Sequence, residues 1–372
     1  MANQAATAPK TKGFIDRLIE SSRTLSAVRY RVLGRSIIAR CRRHLTQRQR
    51  VAIGPVRQTP NDAVVGPRVL MVAEWLNTRS KHFDADLFFH SQDVLKNHYD
   101  AVIIVKDFDD FGYEQFAELR RRGTRILYSI ADNPGNGLRS FYEEPEFLVQ
   151  VDAVVAASPL QIADLGEYGQ KARLIPAPLR NTRVKHSYAA GAPLRVIWQG
   201  HLENVSLTEW LHPMFDRLAA ELPGGIELVY HANLPFPVEG AVRFVRWQVE
   251  DWEDVLIGSD IAIAVKPPDN WFQARKPPTK ILTYMAAGLP VICTPSESDK
   301  LVIRNGENAL IAYDEREWID AIKKLASDEA LRKKMGHAAR RDALRFASRN
   351  VVGRAHEKLL LSLTGGAGWR RF

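Results

Sequence analysis

Two cysteines, Cys41 and Cys293, are all that 372 residues contain. So few exclude a disulfide framework, and neither lies in a CxxC or Cys/His spacing that would hold structural zinc. Long apolar runs are also lacking. No stretch approaches the roughly 18 residues a membrane-spanning helix needs, and the opening MANQAATAPKTKGF has neither the apolar core nor the cleavage signal of a secretory peptide. These absences place the chain, as an expectation, on the cytoplasmic side. Acidic residues are scarce at the start: residues 1–57 hold only Asp16 and Glu20 against 11 Arg and 2 Lys, a net +11. The whole chain carries +9, so everything after residue 57 sums to −2. The basicity belongs to an arm. The remainder, 45% hydrophobic overall, is long enough to bury two cores.

In the arm, Leu18, Leu25, Val28 and Val32 recur at three- and four-residue steps between arginines, which predicts an amphipathic helix over 14–45. Such a helix can lie in the headgroups of an anionic membrane or pack its apolar side on the body. Nucleic acid is disfavoured because Tyr30 is the only aromatic interleaved between the arginines. A linker follows at Pro55, Pro60 and Pro67. Short apolar runs at Arg68–Ala73, Ala101–Lys106, Arg125–Ser129, Ala153–Ala156 and Arg173–Ile175 then alternate with polar segments, the pattern of β-α units in a parallel sheet. Asn181–Pro193 reads as a hinge. A second series runs through Leu194–Trp198, Glu227–Tyr230, Val242–Val245, Ile261–Val265 and Val291–Thr294, and helical periodicity continues from Glu315 to Ser362 with a break near Phe346–Asn350. The expected organisation is an arm (1–57), a first α/β domain (68–190), a second α/β domain (193–345) and a helical tail (346–372). The two α/β domains are expected to join once and to face each other across a crevice.

The densest chemistry lies in Lys266–Ala312. Lys266-Pro267-Pro268 and Lys276-Pro277-Pro278 stiffen a loop after a strand, Thr279 is placed to cap a helix, and Lys280 falls in the first turn, where helix polarity disfavours a cation. An anion shared with the helix N–H groups would explain it. The alternative is a solvated Lys280 and a Gly288 that merely ends the helix.

KPPTKILTYMAAGLPVI resembles the signature segment of GT-B glycosyltransferases, especially the retaining family 4. RNGENALIA, DEALRKKMGHAAR and the VDAVVAASPLQIADLGEYGQKARLIPAP stretch extend the likeness over about 68–345. The resemblance implies two facing Rossmann-like domains, a nucleotide-sugar donor held mainly by the second, a glycan or lipid-linked acceptor, and no metal or cofactor. The arm has no counterpart in the resemblance; its charge and amphipathic pattern lead us to expect peripheral attachment at the inner face of the membrane. Donor contacts then fall to Lys266, Arg275, Lys276, Thr279, Lys280, Thr283 and His201. Family 4 enzymes usually carry glutamates where Arg275 and Thr283 stand, and an Arg and a Lys near His201 and Ser206. With both carboxylates missing, a deoxysugar or a uronic acid is the expected donor sugar.

On the acceptor side, Asn77, Arg79 and His82 follow the first expected strand. His82 and Asp132 are candidate bases, although a retaining enzyme can pass the acceptor proton to the donor phosphate. Asp107, Asp109 and Asp110 form a KDFDD run that could hold Mg²⁺, line an acceptor loop or be plain surface. A polyol-phosphate transferase, a sugar-nucleotide-modifying enzyme, or a non-catalytic nucleotide-binding partner subunit on the same fold are the competing readings.

Overall fold

The computed structural model describes residues 48–56, 66–106, 108–131, 141–142, 144–248, 250–267 and 270–365. The helix expected over 14–45 lies outside them, as does Asp132. Two six-stranded sheets, parallel throughout, carry the fold. The first contains β1 (Gln49–Gly54), β2 (Phe83–Leu87), β3 (Ala101–Val105), β4 (Arg125–Ser129), β5 (Ala153–Ala156) and β6 (Ala172–Leu174), in the order β2-β1-β3-β4-β5-β6. The second contains β7 (Leu194–Gly200), β8 (Ile226–Ala232), β9 (Val242–Arg246), β10 (Ile261–Val265), β11 (Val291–Thr294) and β12 (Leu310–Ile311), in the order β12-β11-β10-β7-β8-β9. Helices cover both faces of such sheets, so central strands are apolar at every position. Both AVIIV in β3 and IAIAV in β10 are buried along their whole length. Among the described residues no helix is long and apolar enough to cross a membrane.

The first expected strand is a correction. Arg68–Ala73 is helical, running from a wide turn at Gly66–Met71 into a helix at Val72–Arg79. Its apolar run is too short to distinguish a strand from a buried helix, and Val69, Val72, Ala73 and Leu76 make a helical spacing on the core side. The strand that belongs here is β1, within the segment read as arm. Edge strand β2 was hidden by its acids. Asp84 pairs with Arg48 at 3.0 Å and Asp86 with Arg50 at 2.8 Å, so the charges on β2 are met by those at the start of β1.

The expectation of a single join is also corrected, because the chain crosses between domains twice. Residues 175–193 lead from β6 to β7, Lys185 N–H donating to the Ala287 carbonyl at 2.8 Å on the way. After the helix Glu329–Ala347, the helix Arg349–Thr364 returns to the first domain, its hydroxyl cap at Ser348 marking the break. Val352, Leu359 and Leu360 enter the core of β1 and β3, and Trp75 Nε1 donates to Asn350 Oδ1 at 3.0 Å. Gly353 is required there, since an added Cβ would run into the Trp75 indole.

Candidate active site

Between the two domains lies a cavity of ≈290 Å³ at the carboxyl ends of the strands. The loop after β10 supplies its first cation. Lys266 is buried, and its ammonium donates to Asp299 Oδ1 at 2.9 Å, Pro277 O at 3.3 Å and Ser296 Oγ at 3.4 Å. Asp299 in turn accepts from the Ser296 N–H and hydroxyl. Lys266 is thus neutralised by a buried partner and serves as a strut between three loops, with its position in the cavity wall secondary.

Lys280 is different. It sits in the first turn of the helix Thr279–Ala287, which has no side-chain cap: Pro278 occupies the N-cap and Thr279 is the first helical residue. The expected Thr279 cap is therefore corrected; its carbonyl instead accepts from Thr283 Oγ1 at 2.8 Å. Lys280 Nζ lies 4.1 Å from the centroid of the Trp198 ring, and no hydrogen bond or carboxylate among the described residues meets it. Removal from water, then repulsion from Lys266 and Lys276, pulls its pKa down to about 7, with Asp299 opposing. An ammonium held in this way gains a great deal from a bound anion. The helix ends at Gly288 in the left-handed region (φ 82°), where glycine meets no steric penalty. Tyr284, from its buried side, accepts the Gln199 N–H at 2.7 Å and so fixes the end of β7 beside the helix start.

Three more cations line the cavity. Lys276 Nζ donates to Asn204 Oδ1 at 3.3 Å, an oxygen shared with Gln273 Nε2 at 2.9 Å. Arg68 is buried and donates to Ser129 Oγ at 3.2 Å at the end of β4. Arg180, on the connecting segment, lies 5.7 Å from the Trp252 ring, its pKa lowered by burial with Glu253 opposing. No Asp or Glu is among the described residues that line the cavity.

The chain is similar to known glycosyltransferases. Residues 193–328 match the family model for glycosyl transferases group 1. A 127-residue stretch is 28% identical to the lipopolysaccharide core biosynthesis glycosyltransferase LpsE of Rhizobium meliloti, spanning 34% of this chain and 35% of LpsE. HepE of Anabaena, solved with UDP and glucose, superposes with a TM-score of 0.59 at 10% identity, over 85% of this chain and 100% of that one. A glycosyltransferase of Rickettsia africae does so with 0.60 at 12% identity, over 86% and 100%. The fold is GT-B.

In this GT-B frame Lys266, Lys276, Thr279, Lys280, Thr283 and His201 all line the cavity. Arg275 does not. Its guanidinium makes a two-pronged pair with Asp164 of the first domain, Nε–Oδ2 2.7 Å and Nη2–Oδ1 2.9 Å, and Tyr142 Oη adds a hydrogen bond to Asp164 Oδ2 at 3.0 Å. Trp271 lies under the guanidinium at 4.2 Å. The side chain expected on the donor is committed to a link between domains.

The acceptor-side trio is also corrected. Asn77 is helical and spends both ends of its amide on the Ala85 backbone, at 2.8 Å each, tying its helix to β2. Arg79 is exposed at the end of that helix, and His82 is exposed at the start of β2. The start of a parallel strand lies on the edge of the sheet away from the cavity, so neither His82 nor its neighbours reach it. Within the aspartate run, Asp110 pairs with His90 at 3.4 Å on the surface. Arg68, Arg180, Asn204 and Gln273 were missed. Nothing in their local sequence marks them, because long-range packing brings each to the cavity.

Proposed function

We propose that this GT-B chain transfers a sugar from a nucleoside-diphosphate donor to a glycan or lipid-linked acceptor of the cell envelope. One observation carries the reading: a cavity whose described lining holds five cations and no carboxylate, with the half-buried Lys280 at an uncapped helix start. As the glycosidic bond to phosphate breaks, the anomeric carbon becomes cation-like and the leaving diphosphate gains charge. Lys280, Lys276 and the first N–H groups of the helix Thr279–Ala287 stabilise that charge, and closure between domains keeps water from the donor. LpsE's part in lipopolysaccharide core synthesis supports an envelope acceptor, and UDP and glucose in HepE support a nucleotide-sugar donor. Retention at the anomeric carbon is the course that the family 4 likeness favours.

Arg275 is no longer available to pair with a uronic acid. The absence of carboxylates from the described lining still disfavours a donor with many hydroxyls to satisfy, which leaves a deoxysugar as the proposal. The test is calorimetric titration with UDP, GDP and dTDP, followed by a nucleotide-sugar panel with product anomers read by NMR. Binding of a nucleoside diphosphate and its release only when acceptor is present support transfer; release of a nucleoside monophosphate points to phosphotransfer, and binding without turnover to a partner subunit. The basic arm is proposed to hold the enzyme on anionic lipid at the inner face of the membrane. Full-length chain should co-sediment with anionic liposomes and a chain starting at Arg48 should not; equal sedimentation would refute the attachment.

A further inference from the structure

The described residues of the first domain line a second cavity, of ≈330 Å³. Its character is the opposite of the first. Buried Phe141 and Leu165 lie beside the half-buried rings of Tyr142 and Tyr168, together with the carboxylates of Asp164 and Glu167. No lysine or arginine is among its described lining residues. The two cavities share a boundary: Asp164 lines the second and holds Arg275, whose neighbour Lys276 lines the first. Across the boundary Tyr142 meets Trp271 of the other domain edge-on, ring centroids 5.5 Å apart, and Trp271 is 48% exposed.

We infer that this second cavity is a subsite for a neutral sugar of the acceptor, an inference that rests on the transfer reading of the first cavity. A sugar ring presents a face of C–H bonds, which aromatic rings cover, and an edge of hydroxyls, which carboxylates accept from. Tyr142 and Tyr168 line the cavity and offer the rings, while Trp271 at its edge already carries the Arg275 guanidinium. Glu167 is exposed and makes no hydrogen bond to another described residue, so both of its oxygens are open to hydroxyls, whereas those of Asp164 are already occupied. No cation is among the described lining residues, and the nearby Lys171, 5.3 Å from the Tyr168 ring, spends its ammonium on the Leu148 and Val151 carbonyls. The diphosphate of the donor and the neutral sugars of the acceptor are thereby sorted into adjoining cavities by charge, and an acceptor that fills the second can lay its reactive hydroxyl over the Arg275–Asp164 boundary toward the first.

The experiment is saturation-transfer NMR on the full chain with neutral gluco- and manno-configured trisaccharides, with and without saturating UDP. Saturation should reach the sugars and persist with UDP present. Tyr168→Ala should weaken sugar binding by roughly tenfold, the loss of one stacked ring. Gly166→Asn should do the same by filling the cavity: Gly166 lines it, sits at φ 54°, which asparagine tolerates, and has nothing within 4 Å of an added Cβ. The UDP dissociation constant should be unchanged in both variants, which confirms that they are folded. The proposal is overturned if no trisaccharide receives saturation, if UDP displaces the sugars, or if both variants bind them as the parent does. Failure of UDP, GDP and dTDP alike to bind the parent chain would instead count against the donor site, and the sugar result would be read separately.

Discussion

Replacing Lys280 by Met keeps the length of the side chain over Trp198 and removes its charge. In the parent, an ammonium without a carboxylate partner among the described residues waits at an uncapped helix start, so a bound diphosphate supplies its first strong acceptor. A charged hydrogen bond of this kind is worth about 1.5–3 kcal/mol, which corresponds to a roughly 10- to 150-fold rise in the dissociation constant. The pH dependence gives an independent signature. Free Lys280 titrates at about 7, and an adjacent phosphate raises that value in the complex. Below pH 7 the site is already charged and affinity is at its fullest; as pH rises above 7, binding must take up a proton, and affinity falls by up to about tenfold per pH unit until the pKa of the complex is reached. The apo fold runs the other way. A lysine lowered from 10.5 to about 7 stabilises the fold least when charged, so its contribution is lost as pH falls from the unfolded value toward 7. Ligand should therefore raise the melting temperature more at pH 6.5 than at pH 9. Calorimetry with the nucleotide-sugar that binds tightest in the panel, whose diphosphate diester does not titrate in this range, in buffers of differing ionisation enthalpy reads both affinity and proton uptake. An affinity that is flat from pH 6 to 9, or a Lys280→Met constant within about twofold of the parent, would refute the assignment.

Lys266→Met should behave differently from Lys280→Met: it strands Asp299 in the interior, and breaking such a buried pair costs about 3–5 kcal/mol, read as a lower denaturant midpoint with no ligand present. Lys266→Met combined with Asp299→Asn should recover part of that loss, and equal stability of the single variant and the parent would show that the pair is not a strut. Across the domain boundary, Arg275→Ala, Asp164→Ala and the double variant form a cycle with an expected coupling of about 1–3 kcal/mol in unfolding free energy, together with a wider cleft by small-angle scattering. A coupling near zero would mean that the link contributes nothing to closure.

The sequence alone determined the fold class and most of the strands, because a parallel strand buried on both faces is a short run of Val, Ile, Leu and Ala, and nine of the expected runs are strands or lie against one. It also located the lysine-bearing loop that lines the cavity. Proline pairs before a lysine-bearing helix, and a glycine after it, are local features whose conformational effects do not depend on the rest of the chain. Where local signals competed, it failed. RVLMVA satisfies a strand and a buried helix equally, and the acids of β2 disguise a strand whose charges are answered only by Arg48 and Arg50 across the ladder. Tertiary structure alone decided which cations face the cavity. Lys266, Lys276, Lys280 and Arg275 look alike as basic residues around prolines, yet one is neutralised by Asp299, one donates to Asn204, one lies over the Trp198 ring without a carboxylate partner among the described residues and one is drawn across the boundary by Asp164. The partners lie between about 30 and 110 residues away in the chain. A charge has no periodicity to betray its partner, so only the fold, by setting distance and burial, assigns it.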